Sequence, residues 1–367
     1  MLRLITGARR SSREAGTLLT PMMFNMSSDK PSVGIIGLTG HAQRLRDIIE
    51  PIANVTHLYH PNKKIDDSRC TQEFKDMIGC DAIIIASPND THLSYLTKLR
   101  QMLYNGYIFC EKPPVSHDEI DELCALFDDD STHIYFNFQY AHAKSFTMLD
   151  ELISSNSLGD IISISFKAGH GLALEDEWTT SWRSDGTRHA LGVVETLGIH
   201  FIERAMMIWT SLGHDTAHAT MLPLKMAPTG TAYDTADINI VHSNASIITP
   251  RIRRTNILVS YATPFMFEMN VVGTNGIFSI RDNELIVRCG RRTFDDRGYF
   301  IQAPIVERCT YDAEIEYERA LQLSVMKFIS YVSDGACIPR GLYDAAVGSM
   351  KLLHELYTTC VALNTTQ

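Results

Sequence analysis

No CxxC pair occurs in this sequence, although it holds eight cysteines, at 70, 80, 110, 124, 289, 309, 337 and 360. Scattered thiols without paired spacing argue against a zinc site and against a disulfide-stapled secreted domain. They read as reduced thiols in a cytoplasmic protein. Also missing is any apolar run approaching the roughly 20 residues that cross a bilayer. Nor is there an excess of positive charge: 33 Lys and Arg stand against 43 Asp and Glu, a formal net charge of -10. That balance argues against nucleic acid or an anionic membrane as the main partner, because binding phosphates needs a positive field. The first 26 residues carry four arginines and one acid, Glu14, but lack the apolar core of a secretory signal. They read as a disordered extension or as one begun at too early a start codon, with Met26 the true start. An organelle presequence is the other reading.

What remains is ample material for a core. The chain has 367 residues, 45% hydrophobic and 21% charged, which makes two domains the natural expectation. From Ser32 the pattern alternates. "SVGIIG" (32–37), "VTHLYH" (55–60), "CDAIIIASP" (80–88), "YIFC" (107–110) and "HIYFNF" (133–138) read as strands. Helical spacing fills the gaps: Leu45, Ile48, Ile49 and Ile52 after the first strand, a helix over 91–106 after the third, and a capping-box spacing from Ser116 to Glu119 after the fourth. Such alternation predicts βαβ units and a parallel doubly wound sheet, with ligands beyond the carboxyl ends of the strands.

At that end of the first strand lies "GLTGHA", with Gly37, Thr39, Gly40, His41 and Ala42. The amides of such a loop can cradle a pyrophosphate at the helix N-terminus. A dinucleotide fingerprint has a second glycine where Thr39 stands, so a plain glycine turn explains the string equally well. The acid expected to grip a ribose after the second strand is also missing; His60 and Lys63, followed by Lys64, stand there instead. Two lysines suit a 2′-phosphate and favour NADP over NAD; a solvated loop explains them equally.

The fourth strand runs into "EKPPVS". Pro113 and Pro114 have no amide hydrogen, so the ladder stops there and the direction of Lys112 is fixed. A lysine at a strand end in a cofactor crevice can polarise or deprotonate a hydroxyl, and the adjacent Glu111 can tune its charge or hold a ribose or nicotinamide group. With "VGIIGLTGHA" and "DAIIIASPNDTHLSYL", this segment resembles the Gfo/Idh/MocA oxidoreductases (glucose–fructose oxidoreductase, inositol dehydrogenase and rhizopine catabolism), whose signature is E-K-P after the fourth strand and P-x-x-x-H after the third, here Pro88 and His92. The resemblance implies a nicotinamide-binding Rossmann domain, over 27–140, and an α/β domain with a largely antiparallel open sheet, over 141–367, whose last helix, 342–362, packs back on the first. It implies NAD or NADP held by the glycine loop, Ser87, Pro88, Asn89, His92, Glu111 and Lys112. It makes Lys112 the catalytic lysine, the substrate a sugar, cyclitol or nucleotide sugar, and the assembly a homodimer or homotetramer through the antiparallel sheet.

The second half carries period-two runs from Asp237 to Cys289, with turn signals at Asn275-Gly276 and Asp282-Asn283. Before them, "GVVETLGIHFIERAMMIW" (192–209) is an apolar helix holding His200. Histidine there is either a satisfied core residue or a proton exchanger. The family places D-x-G-x-H in this position, its acid and histidine four apart on one face. Thr196 occupies the place of the acid and Glu195 precedes it, about a hundred degrees round the helix. Three readings follow: Lys112 and His200 suffice, Glu195 supplies the acid, or the protein binds cofactor without catalysis, as a regulatory subunit. Upstream, Trp178, Trp182 and Arg183 match a loop over the sugar pocket, where rings stack on sugars and arginine grips anions; packing explains the tryptophans equally. Tyr140 is a further pocket candidate. A reductase of imines or enones is also open.

Overall fold

The computed structural model describes residues 30–38, 40–214, 216–244, 252–290 and 294–365. The expected extension over 1–26 and Thr39 lie outside them.

Continuous apolar runs make the first sheet because both of its faces are covered. Its strands are β1 (Ser32–Ile36), β2 (Asn54–Tyr59), β3 (Cys70–Thr71), β4 (Ala82–Ile85), β5 (Tyr107–Glu111) and β6 (Ile134–Asn137). All pair in parallel in the order β3-β2-β1-β4-β5-β6. Side chains alternate between two cores. Ile83, Ile85 and Ile108 pack with Leu96 and Leu99 of α2 (His92–Gln101) and Leu123 of α3 (Ile120–Phe127). Ile35, Ile84 and Phe109 pack on the other side with Leu45 of α1 (His41–Ile49). The order reverses at β1, between β2 and β4, and that switch point opens the cleft beyond the strand ends.

The expected helix over 91–106 stops at Gln101, since Leu103 turns to φ 55 and sits 86% exposed. The capping box forms by half: the Ser116 amide donates to Glu119 Oε2 at 2.9 Å, and α3 begins after it.

After α4 (Lys144–Ser154) the second sheet comprises β7 (Ile161–Gly169), β8 (Thr216–Leu224), β9 (Thr235–Ser243), β10 (Arg253–Ser260), β11 (Met266–Gly273), β12 (Gly276–Arg281), β13 (Glu284–Cys289) and β14 (Ile305–Thr310). The order is β14-β13-β12-β11-β7-β10-β9-β8, antiparallel except where β10 meets β7. Asp282 and Asn283, at φ 52 and 59, make the hairpin turn expected between β12 and β13. The inner face is apolar: Phe166 stacks on Phe201 of α5 (Ile199–Ser211), with ring centroids 5.2 Å apart. The outer face alternates to Ser165, Asn239, Asn256, Asn270 and Ser279. β8 and β14 had no clear signal, β8 because alanine and threonine dilute its alternation.

Two long helices close the chain. The first, α6 (Ala313–Asp334), lays Leu321, Val325, Phe328 and Ile329 against Val33, Ile35 and Phe109, completing the first sheet's cover from the far end of the sequence. The second, α7 (Arg340–Thr365), buries Tyr343, Met350 and Leu353 in the core shared by both sheets. No helix among the described residues is long and apolar enough to cross a membrane.

Candidate active site

The glycine loop is forced by space. Gly37 sits at φ 124, and a Cβ there would meet the Ala86 carbonyl oxygen at 2.8 Å and the Ala42 Cβ at 2.9 Å. Loop and α1 therefore press directly against the end of β4. Gly37 and the buried Ala42 shape the rim without lining the cleft.

The cleft, about 440 Å3, is lined by Gly40, His41, Ser87, Pro88, Asn89, His92, Glu111 and Lys112, as expected, and also by Arg44 and Gln139. His92 is a brace: its ring lies between the Pro113 carbonyl (Nδ1, 2.9 Å) and the Ser87 carbonyl (Nε2, 3.1 Å), tying the two strand ends together. Glu111 Oε1 accepts from Asn137 Nδ2 at 2.7 Å and lies 2.8 Å from His41 Nε2. Burial pushes its pKa up, but the His41 ring and the Asn137 amide outweigh this and hold the carboxyl below its usual range. Two buried amide oxygens, Asn89 Oδ1 and Gln139 Oε1, have no partner. A nicotinamide dinucleotide, rich in amide and hydroxyl donors, fits such a lining.

His60 and Lys63 do not enter it. The His60 ring accepts the amides of Asn62 and Lys63 at 3.1 Å each, and Lys63 is exposed. The expectation that leaned to NADP therefore has no support in the cleft's lining.

A second cavity of about 910 Å3 opens toward the other sheet, lined by Tyr140, His170, Thr196, His200 and Tyr261 among others. Lys112, Arg183, Thr196 and Tyr317 line both. Lys112 Nζ donates to the Thr196 carbonyl at 2.6 Å. Burial pushes the Lys112 pKa down to about 8, with Glu111 opposing and the Arg183 charge assisting. His200 is buried, its Nδ1 lacks a partner, and its ring meets Tyr140 edge-on at 5.1 Å. Burial first, then the positive charge of Lys112 and the His41 ring, hold it well below the ordinary histidine range, so the ring is neutral.

The helix carrying His200 starts with a π-turn over Val194–Gly198. Its wide turn brings Thr196 and His200 to one cavity and sends Glu195 elsewhere. Glu195 is accordingly corrected: it lines neither cavity. Its carboxylate sits between His189 Nδ1 (3.2 Å) and His117 Nδ1 (3.4 Å) and accepts the Leu191 amide. Thr196 Oγ1 pairs with the Tyr261 hydroxyl at 2.6 Å and donates to Gly192 O at 3.2 Å.

Of the aromatic loop, Trp178 is core, donating to Thr229 O. Trp182 borders the dinucleotide cleft rather than the larger cavity, because the Arg183 guanidinium covers its ring at 4.1 Å and the His189 ring lies against it. Tyr140 and Arg183 line the larger cavity as expected. Arg44, Gln139, His170, Tyr261 and Tyr317 carried no motif; topology alone brings them in.

Residues 32–138 match the model of an oxidoreductase family with an NAD-binding Rossmann fold, GFO_IDH_MocA. The chain is similar to glucose-6-phosphate 3-dehydrogenase of Bacillus subtilis (strain 168), 27% identical over 189 residues, which are 48% of this chain and 52% of that one. It thus spans about half the length of that relative. The fold is shared with an NAD-binding oxidoreductase from Klebsiella pneumoniae (TM-score 0.71, 15% identity, 91% of this chain and 97% of that one). It is shared as well with a levoglucosan dehydrogenase solved with NADH and levoglucosan (TM-score 0.69, 13% identity, 90% and 97%). Residues 32–138, which carry E-K-P at the end of β5, are similar to the NAD-binding Rossmann domain of the Gfo/Idh/MocA oxidoreductases.

Proposed function

We propose that this protein is an NAD-dependent oxidoreductase acting on the carbinol or keto carbon of a sugar-like substrate. The observation that carries the reading is the wall of four residues common to the two cavities: a group in the cleft and a molecule in the larger cavity would meet at Lys112. When bound, the dinucleotide supplies hydride chemistry. The chain supplies the rest. Gly40, His41 and Asn89 line the cleft and would border the dinucleotide, and Glu111, fixed by His41 and Asn137, forms part of the same wall. In the oxidative direction the neutral Lys112 amine takes the hydroxyl proton as the C–H hydride leaves and the carbonyl forms. In the reverse direction its ammonium returns that proton. The neutral His200 ring orients the same hydroxyl by hydrogen bonding, and Tyr140 limits the water around it.

Calorimetric titration with NAD and NADP, then activity with a panel of sugars and cyclitols, tests this. Lys112→Met is expected to lower kcat by about 10²–10⁴-fold with dinucleotide affinity kept within a few-fold. Protein that binds neither dinucleotide removes the reading; unchanged turnover in Lys112→Met removes Lys112 from the chemistry, and dinucleotide binding without turnover on any member of the panel points to a cofactor-binding regulatory role instead. Pairing of two copies through the second sheet's outer face belongs to the same reading, and sedimentation measures it.

A further inference from the structure

Charge is unevenly spread along the wall where the two cavities meet. Its cations are Lys112 and Arg183. Lys112 is committed to the Thr196 carbonyl. Arg183 is not. Its guanidinium carbon lies over the Trp182 ring, 4.1 Å from the centroid, and the group is beside the Tyr261 hydroxyl; no carboxylate among the described residues stands within ion-pair range of it. Arg188, on the same loop, shows the opposite condition, paired with Asp90.

The acids nearby are spent or remote. Asp312 and Glu314 line the larger cavity but are exposed, and Asp312 accepts the Glu314 and Ile315 amides as the cap of α6. Glu111 is taken by His41 and Asn137. Lys112 has Glu111 beside it, so the charge left without a carboxylate partner on this wall is that of the half-buried Arg183. That charge is felt by its neighbours: burial first and Arg183 second lower the pKa of His170 on the facing wall.

Resting on the oxidoreductase reading above, we propose that the substrate is an acid: a polyhydroxy carboxylate of the aldonate or uronate class, its carboxylate docked on Arg183 and a carbinol turned to Lys112. A guanidinium presents two parallel N–H donors, the geometry of a planar carboxylate, and the indole against Arg183 limits where that fork can sit. One arginine suits a carboxylate better than a phosphate dianion, which recruits more donors. The phenols of Tyr140, Tyr261 and Tyr317 and the rings of His170 and His200 offer partners for sugar hydroxyls.

The test titrates a panel of six-carbon aldonates and uronates, their neutral parent sugars, and glucose 6-phosphate into the full chain with NADH present, for the wild type, Arg183→Met and Arg183→Lys. We expect at least one carboxylate to bind ten-fold or more tighter than its neutral parent. Arg183→Met should erase that gap with the melting temperature kept, and Arg183→Lys should restore part of it. Acids and neutral parents binding alike overturns the inference and leaves the oxidoreductase reading standing, whereas loss of NADH binding by the wild type overturns that reading itself. Preference for the phosphate refutes the carboxylate. So does an Arg183→Met variant that loses NADH affinity but keeps the acid preference, which would assign Arg183 to the dinucleotide.

Discussion

Lys112 reaches from the end of β5 to the π-turn that opens α5 and donates a hydrogen bond to the backbone carbonyl of Thr196, 2.6 Å away. A carbonyl is a weak counterpart for a buried cation, and burial accordingly brings the Lys112 pKa down to about 8. Catalysis in the oxidative direction needs the neutral amine, so kcat/KM for oxidation is expected to rise with pH up to about 8 and then level. Lys112→Arg, which cannot deprotonate in this range, should lose the activity and the limb together. A flat profile from pH 6 to 10 speaks against Lys112 as the base.

Thr196 stands four residues before His200 and lines the same cavity, and its hydroxyl is already tied to Tyr261. Thr196→Asp would put negative charge beside Lys112 and His200, both of which line the same cavity. Negative charge favours their protonated forms, so the limb should move upward by about one unit or more. An unmoved limb would mean that the new carboxylate faces away from Lys112.

Glu195 is a structural strut linking the turn after β5 (His117) to the loop before α5 (His189). Glu195→Gln is expected to leave kcat within about three-fold and to destabilise the fold by about 1–3 kcal/mol, the cost of weakening buried charge-assisted bonds. The folded carboxyl is held below its ordinary range, so its contribution is present at neutral pH and fades as pH falls through the folded value. The gap in melting temperature between the two proteins should therefore narrow on acidification. A large loss of kcat without loss of stability would return Glu195 to the chemistry.

The first sheet was legible because continuous runs such as Ala82–Ile85 and Tyr107–Glu111 have few alternatives, and E-K-P-P marks its own strand end. The role of Glu195 was not, because a π-turn changes the angular position of every later residue and no periodicity of apolar side chains reveals it. Tyr317 and Ser324 were equally hidden. They lie on α6, which returns to the first sheet from nearly two hundred residues beyond β6, where Ser324 donates to Asn137 Oδ1 at 2.7 Å. That bond fixes the amide that in turn holds Glu111. Local sequence determines helices and strands; which distant hydroxyl closes a polar chain depends on topology.

Glu203 shows what the same helix costs away from the site. It is buried on α5, its Oε2 has no partner, and burial raises its pKa to about 7 from an ordinary 4.5, with Arg204 opposing and Asp150 assisting. Arg204 itself is paired with Asp150. Between pH 4.5 and 7 the folded chain therefore binds a proton that the unfolded chain has released, so stability falls as pH rises through that window. Glu203→Gln keeps the shape and removes the titration. Its advantage in folding free energy over the wild type should be near zero at pH 5 and reach about 1–3 kcal/mol at pH 8, measured by urea unfolding at both values. An advantage that does not change with pH would mean that Glu203 ionises without penalty, paired with Arg204 in a local arrangement looser than the one described.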